Sequence, residues 1–298
     1  MRIVTRGDFD GLTCTILLSE VESIDGIRMV HPKDAQDGKV TAEATDIVVN
    51  LPYILGCGMW FDHHSSEESV GKDFSFKGRF EIAPSCARVI YNHYAPKQQQ
   101  KLARFSELIA AADRFDSADL SADDINNPTG YMLLALTLDP RSGLGSEFQN
   151  YFEWLVKALK ELPLEQVLAH DEVQKRSSRV LNEQAAFKDM LRKCARIDGN
   201  VVISDLRGVK DKPAGNRFVV FTLFPEANVD VRLIDGRDGA VVIAVGHSII
   251  NRTCPVNVGR LMSEYGGGGH KGVGTTQLPA NVAEKRIAEI VQRLKAGR

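Results

Sequence analysis

Short apolar runs separated by polar stretches fill the first half of the chain, and they show two different periods. Ile3-Val4-Thr5 reads as a strand over residues 2–5, whereas Leu12, Ile16, Leu17 and Val21 recur at helical spacing over 12–22. Ile27-Arg28-Met29-Val30 is strand-like and leads into a polar helix-forming stretch, and Asp46-Ile47-Val48-Val49-Asn50 and Met59-Trp60-Phe61 are strand-like in turn. The pattern predicts helices over 85–94, opened by Pro84-Ser85, and over 98–113, 129–138 and 146–161. Strands alternating with helices predict an α/β fold built on a parallel sheet. Residues 164–195 read as one long charged helix with a solvated face, serving as a link. Beyond Gly199 the runs Val201-Val202-Ile203, Phe218-Val219-Val220-Phe221, Val229–Leu233 and Ala240–Val245 predict a β-rich region, closed by a helix over about 282–296. The expected division is a parallel-sheet domain over 1–163, a linker helix over 164–195 and a smaller mixed α/β domain over 196–298. A chain of 298 residues is long enough for two separate cores.

Composition narrows the function classes. The chain is 43% hydrophobic and 26% charged, as soluble globular proteins are. Its net charge of -2 and pI of about 6.4 argue against sequence-independent binding to long duplex nucleic acid, which needs a basic face. A small anionic substrate in a local basic pocket stays compatible with that balance. Cys14, Cys57, Cys86, Cys194 and Cys254 are scattered and form no CxxC pair, so reduced thiols in a cytoplasm are expected. The first residues form a strand and not the apolar stretch of a signal peptide, and no run of about 18 apolar residues predicts a membrane span.

The candidate chemistry sits where strands should end. Asp8 and Asp10 follow the first strand, Asn50 ends another, and Asp62-His63-His64 end a third. Ligands of open parallel sheets gather at the carboxyl ends of strands. Asp8 and Asp10 are two positions apart and share a side in extended chain, and Gly11 lets the backbone turn into a helix. Carboxylates mixed with imidazole suit Mn²⁺, Mg²⁺, Fe²⁺ or Zn²⁺, ions that polarise a phosphoryl oxygen and acidify bound water. An isolated Asp-x-Asp is usually a cap and an isolated His-His a surface pair. Both at strand ends, with a glycine-rich cationic loop downstream, point to metal working on phosphate. That loop is Tyr265-Gly266-Gly267-Gly268-Gly269-His270-Lys271-Gly272, whose consecutive backbone N–H groups are expected to cradle anionic oxygens. It can also be read as a flexible loop. Arg252 offers a fork suited to bidentate phosphate contact. No Walker loop and no Gly-x-Ser-x-Gly motif occurs. Tyr265 is the one aromatic residue by the loop, so base stacking is not evident.

These motifs resemble the DHH superfamily of phosphoesterases over nearly the whole chain, through Gly7–Gly11, Asp62–His64, Ala111–Asp113 and Asn251–Gly274. The wording around Asp62-His63-His64 and Asn251-Arg252-Thr253 is most similar to the exopolyphosphatase-like branch. The resemblance implies two domains with an active cleft between them and one or two divalent ions, Mn²⁺ foremost and Mg²⁺ as the alternative. It implies Asp62, His63 and His64 as the catalytic triad, and Asp8, Asp10, Asn50, His63 and Asp113 as the metal-site positions. Arg252, Gly267, Gly268, Gly269, His270 and Lys271 are implied as substrate-binding. Asp116 is read as a helix-end residue.

Two positions depart from the family pattern. Arg6 stands near where active members carry a histidine, and Asn50 where they carry an aspartate that bridges two metals. Asp46 lies too far along its strand to substitute. Arg6 is read as partly filling the electrostatic place of the first metal, leaving one ion on Asp10, His63 and Asp113; a plain Arg6–Asp salt bridge is the other reading. The function expected is metal-dependent hydrolysis of a phosphoester or phosphoanhydride, with polyphosphate, short oligonucleotides and cyclic dinucleotides as candidate substrates. A phosphate- or nucleotide-binding protein without turnover, on the same scaffold, is the alternative. No membrane partner is expected, and a homodimer is left open.

Overall fold

Four strands follow one another in the same direction at the start of the chain: β1 (Arg2–Thr5), β2 (Gly26–Met29), β3 (Asp46–Val49) and β4 (Met59–Asp62). With β5 (Gly78–Phe80) they form a fully parallel sheet in the order β2-β1-β3-β4-β5. The computed structural model describes residues 1–73, 75–138, 143–213 and 215–297. The chain divides into two compact units, one of Met1–Asp119 with Thr129–Ser177, the other of Leu120–Pro128 with Ser178–Arg298. Among the described residues no helix is long and apolar enough to cross a membrane.

The first unit covers its sheet on both faces, which is why these strands are apolar runs and not alternations. Val4, Val48 and Trp60 are register partners on adjacent strands and belong to one buried cluster with Val30, Val40, Leu51 and Ile54. Trp60 donates its indole N–H to the Leu51 carbonyl at 3.0 Å, so its polar edge is satisfied inside that cluster. Helix α1 (Phe9–Val21) is buried continuously from Phe9 to Leu18. Short helices α2 (Pro32–Gln36) and α3 (Glu68–Asp73) lie in the connections between strands. The long α1 packs against α4 (Cys86–Leu102), α5 (Ser106–Asp116) and α8 (Ser146–Glu161). A helix wrapped in this way is apolar nearly all round. Between α5 and α8 come α6 (Ala122–Asn126), which belongs to the second unit, and α7 (Gly130–Leu136), which belongs to the first. The order of the sheet reverses direction between β1 and β3, and in such a sheet the crevice at that reversal, beyond the strand carboxyl ends, takes the ligand.

The second unit holds a mixed sheet in the order β10-β11-β9-β8-β7-β6. Its strands are β6 (Ala195–Asp198), β7 (Val201–Asp205), β8 (Val229–Asp235), β9 (Val241–His247), β10 (Gly268–His270) and β11 (Val273–Leu278). All neighbours are antiparallel except β7 and β8. Helices α12 (Val258–Ser263) and α13 (Ala280–Lys295) supply Val258, Leu261, Met262, Ile287, Ile290 and Leu294 to the core of this sheet.

Several expectations are corrected. Phe218–Phe221 is not a strand: Val219–Leu223 form a short buried helix, α11. A short apolar run fits a buried strand or a buried helix equally well, and only tertiary context decides. The helix expected over 85–94 continues to Leu102, past Pro96 and a non-helical Gln98, and α5 follows as a separate helix. The helix expected over 164–195 is two, α9 (Leu164–Leu168) and α10 (Asp171–Cys194).

Candidate active site

The turn after β1 sets the first carboxylates. Asp8 is the N-cap of α1, its Oδ1 accepting the Gly11 N–H at 2.9 Å. A Cβ on Gly11 would clash with the Arg6 carbonyl oxygen, so this turn requires glycine. Capping turns Asp10 inward, where it is buried. Asp10 accepts the N–H of Cys86 and of Ala87, both at 2.9 Å, from the first turn of α4. That helix start is fixed by Ser85, whose hydroxyl accepts the Arg88 N–H at 3.0 Å. Burial and then the nearby Asp8 push the Asp10 carboxyl up to about 7, against the pull of the two N–H bonds.

The end of β4 supplies the next three groups. Asp62 is fully buried and its Oδ1 holds His64 Nδ1 at 2.8 Å, while its Oδ2 has no hydrogen-bond partner. Burial opposes charge on His64, but the bond to Asp62 outweighs it and the imidazole pKa is raised. His63 is 8% exposed, and its Nδ1 lies 3.1 Å from the Ala83 carbonyl oxygen. A carbonyl only accepts, so Nδ1 carries the proton and Nε2 turns a lone pair the other way. Nε2 faces Asp116 Oδ2 at 3.2 Å and Asp10 Oδ2 at 3.8 Å without a hydrogen bond to either. Asp116 is likewise pushed up to about 7, by burial and then by Asp10.

A lone pair aimed at two crowded carboxylates is a donor set that fits a hard divalent cation, with the Ala83 carbonyl holding the imidazole tautomer. Ligand atoms of Asp10, His63 and Asp116 lie within 4.8 Å of one another, as do those of Asp62, His63 and His64. Asp113 is not among them. Its Oδ1 accepts from the Ser85 hydroxyl at 2.7 Å, and its Oδ2 accepts from Arg88 Nε at 2.9 Å and Nη2 at 2.5 Å. Asp116, one turn further along α5, takes the position expected of Asp113. The two are three residues apart on one helix, so they share a face, and that spacing is the signal available in the sequence.

Arg6 and Asn50 lie against Asp8. Arg6 Nε is 2.8 Å from Asp8 Oδ2, and Asn50 Nδ2 donates to Asp8 Oδ1 at 3.0 Å. Asn50 is 1% exposed and adopts the left-handed backbone region, with φ of 54°. Its Oδ1 has no partner. Asp46 is at the far end of β3, paired with Arg2 at 2.9 Å.

In the second unit the glycine run is a structured turn. The N–H groups of Gly266 and Gly267 donate to the Ser263 and Met262 carbonyls at 3.1 and 3.0 Å, closing the end of α12, so the expected row of four outward N–H groups does not form. Gly268, Gly269 and His270 form β10 against β11 and are exposed, as is Lys271. A Cβ on Gly267 would clash with the Thr275 carbonyl, so packing alone requires that glycine. Arg252 is exposed, and its Nε donates to the Ile249 carbonyl at 2.9 Å. His247 ties this loop to the hairpin, its backbone N–H donating to Gly272 and its ring Nε2 lying 2.9 Å from the Val256 carbonyl.

Neither the models of protein families nor the curated proteins give a match to this sequence. Among solved structures, a pGpG-specific phosphodiesterase, PggH from Vibrio cholerae, is 34% identical, with 100% of this chain and 99% of that chain covered and a TM-score of 0.86. RecJ of Thermus thermophilus matches in its Mg²⁺ and Mn²⁺ complexes at TM-scores of 0.55 and 0.56. Each is 14% identical, covering 99% of this chain and about half of RecJ, 49% and 51%. That likeness is one of fold alone. The switch-point carboxylates and the Asp-His-His at the next strand end, with Asp62 and His63 buried, fit an α/β phosphoesterase. The chain belongs to the DHH superfamily of phosphoesterases.

Proposed function

We propose that this chain is a divalent-metal-dependent phosphodiesterase acting on short linear oligonucleotides of the pGpG type. The observation that carries this is the end-to-end match, at 34% identity, to a pGpG-specific phosphodiesterase. Asp10, His63 and Asp116 would hold the ion. A divalent cation bound there supplies Lewis acidity toward a phosphoryl oxygen and neutralises developing charge. His64, oriented by Asp62, which raises its pKa, would donate a proton to the leaving oxygen. The Arg252 guanidinium, with His270 and Lys271, would hold substrate phosphate in the second unit. Net charge near zero supports a small substrate over a long duplex.

The test is hydrolysis with Mn²⁺ of pGpG, longer RNA, cyclic dinucleotides, polyphosphate and pyrophosphate, beside a His63→Ala control. Release of mononucleotide from pGpG, reduced about a hundredfold or more in the control, is expected. Preference for polyphosphate would move the substrate to the exopolyphosphatase-like branch. Nucleotide binding without turnover anywhere would establish the binding-protein reading instead.

A further inference from the structure

We infer that Asp8 is a positioning residue and not a metal ligand, and that the Arg6 it holds is a phosphate-binding group beside an ion on Asp10, His63 and Asp116. The inference rests on the phosphoesterase reading above and assigns the two groups that distinguish this chain's site.

The distinction between Asp8 and Asp10 is one of charge. Asp8 Oδ1 already accepts from Gly11 N–H at 2.9 Å and Asn50 Nδ2 at 3.0 Å, and Oδ2 meets Arg6 Nε at 2.8 Å. Oδ1 thus accepts two hydrogen bonds, and Oδ2 stands in ion-pair contact with the Arg6 guanidinium. A dication placed on Oδ2 would also sit against the guanidinium that the same oxygen holds, a repulsion that rises steeply away from bulk water. Asp10 differs in charge: it accepts from the Cys86 and Ala87 N–H groups and from the Cys14 thiol, all neutral, and the groups facing it are His63 and the Asp116 carboxylate.

Asn50 makes the arrangement self-consistent. Its amide turns the NH₂ end to Asp8, the only end that can bond a carboxylate. A carboxylate at that buried place would face Asp8 with no proton between them and would require a cation. A neutral amide removes that requirement. Arg6 spends only Nε on Asp8; among the described residues no acceptor engages Nη1 or Nη2, and its side chain is 37% exposed. Those two groups form the fork that suits phosphoryl oxygens.

Metal analysis after dialysis against Mn²⁺, together with calorimetric titration of inorganic phosphate, tests this on the full chain. The expected result is one Mn²⁺ per chain in the wild type, in Asp8→Asn and in Arg6→Gln, with loss of the ion in Asp10→Asn. Asn caps helices as well as Asp, so Asp8→Asn keeps the turn, and far-UV circular dichroism checks it. Phosphate affinity should fall about tenfold to a hundredfold in both Asp8→Asn and Arg6→Gln. Asn50→Asp should raise the stoichiometry to two. Loss of Mn²⁺ in Asp8→Asn, two ions in the wild type, or unchanged phosphate affinity in Arg6→Gln would each overturn the inference. None of these measurements uses pGpG, so a failure to hydrolyse pGpG would refute the substrate and leave this arrangement standing.

Discussion

Asp113 and Asp116 stand one turn apart on α5, and the one that lies beside Asp10 and His63 is Asp116. The motif identifies the right helix, and the acidic residues on its one face are visible, but the choice between them depends on Arg88. Arg88 reaches Asp113 from α4, 25 residues away in the chain, and no local pattern announces that pairing. Asp116→Asn should therefore weaken Mn²⁺ binding at least about tenfold, whereas Asp113→Ala should leave it nearly unchanged. The latter should cost about 1–3 kcal/mol of stability by stranding a charge-assisted bond, read from urea denaturation. The same cluster sets a pH dependence. Asp10 and Asp116 titrate near 7 when folded, against an ordinary value of 3.8, so between those limits the folded chain holds more protons than the unfolded one. Stability of the metal-free protein is greatest below the unfolded value and falls as pH rises through this window. Thermal melts in a chelator should show the midpoint dropping from about pH 5 to about pH 7.5, and Mn²⁺ should reverse the drop because binding displaces those protons. A flat profile would show that the two carboxylates are not crowded as described.

Strands β1, β3 and β4 are legible in the sequence because they are buried on both faces and correspondingly apolar, whereas the half-buried β5, Gly78-Arg79-Phe80, gives no such run. Asp8, Asp10, Asp62, His63 and His64 are legible because each stands just past such a run, unlike Asp116 on α5. What the pattern does not convey is the order of the sheet, and with it the fact that Asp8 and Asn50 flank the place where that order reverses. The Phe218–Phe221 run misleads because it is short and apolar throughout, whereas the glycine run misleads because the N–H groups of Gly266 and Gly267 serve the end of α12 and Gly268 and Gly269 enter β10. Two glycines carry sharp expectations. Gly11→Ala forces a Cβ into the Arg6 carbonyl and should cost roughly 1–3 kcal/mol or more in denaturant unfolding while disturbing Mn²⁺ binding. Gly267→Ala meets the Thr275 carbonyl and should destabilise the second unit to a similar extent, about 1–3 kcal/mol, with Mn²⁺ affinity unaltered. Equal loss of metal in both variants would contradict the assignment of the ion to residues of the first unit.

Two cores are expected from the length, and the chain does divide in two, but the boundary does not fall once. Leu120–Pro128 belongs to the second unit although the chain returns to the first from Thr129 to Ser177. Within that segment Ile125 is fully buried, its carbonyl accepts from Gln184 at 2.8 Å, and Asn126 accepts from the Thr222 hydroxyl at 2.9 Å. Ile125→Ala should accordingly destabilise the second unit by about 2–5 kcal/mol, measurable as a shift in its hydrogen-exchange protection. The backbone thus changes allegiance three times, after Asp119, Pro128 and Ser177. A genetic crossover exchanges everything on one side of a single point, so no single crossover could hand the second unit to another protein whole.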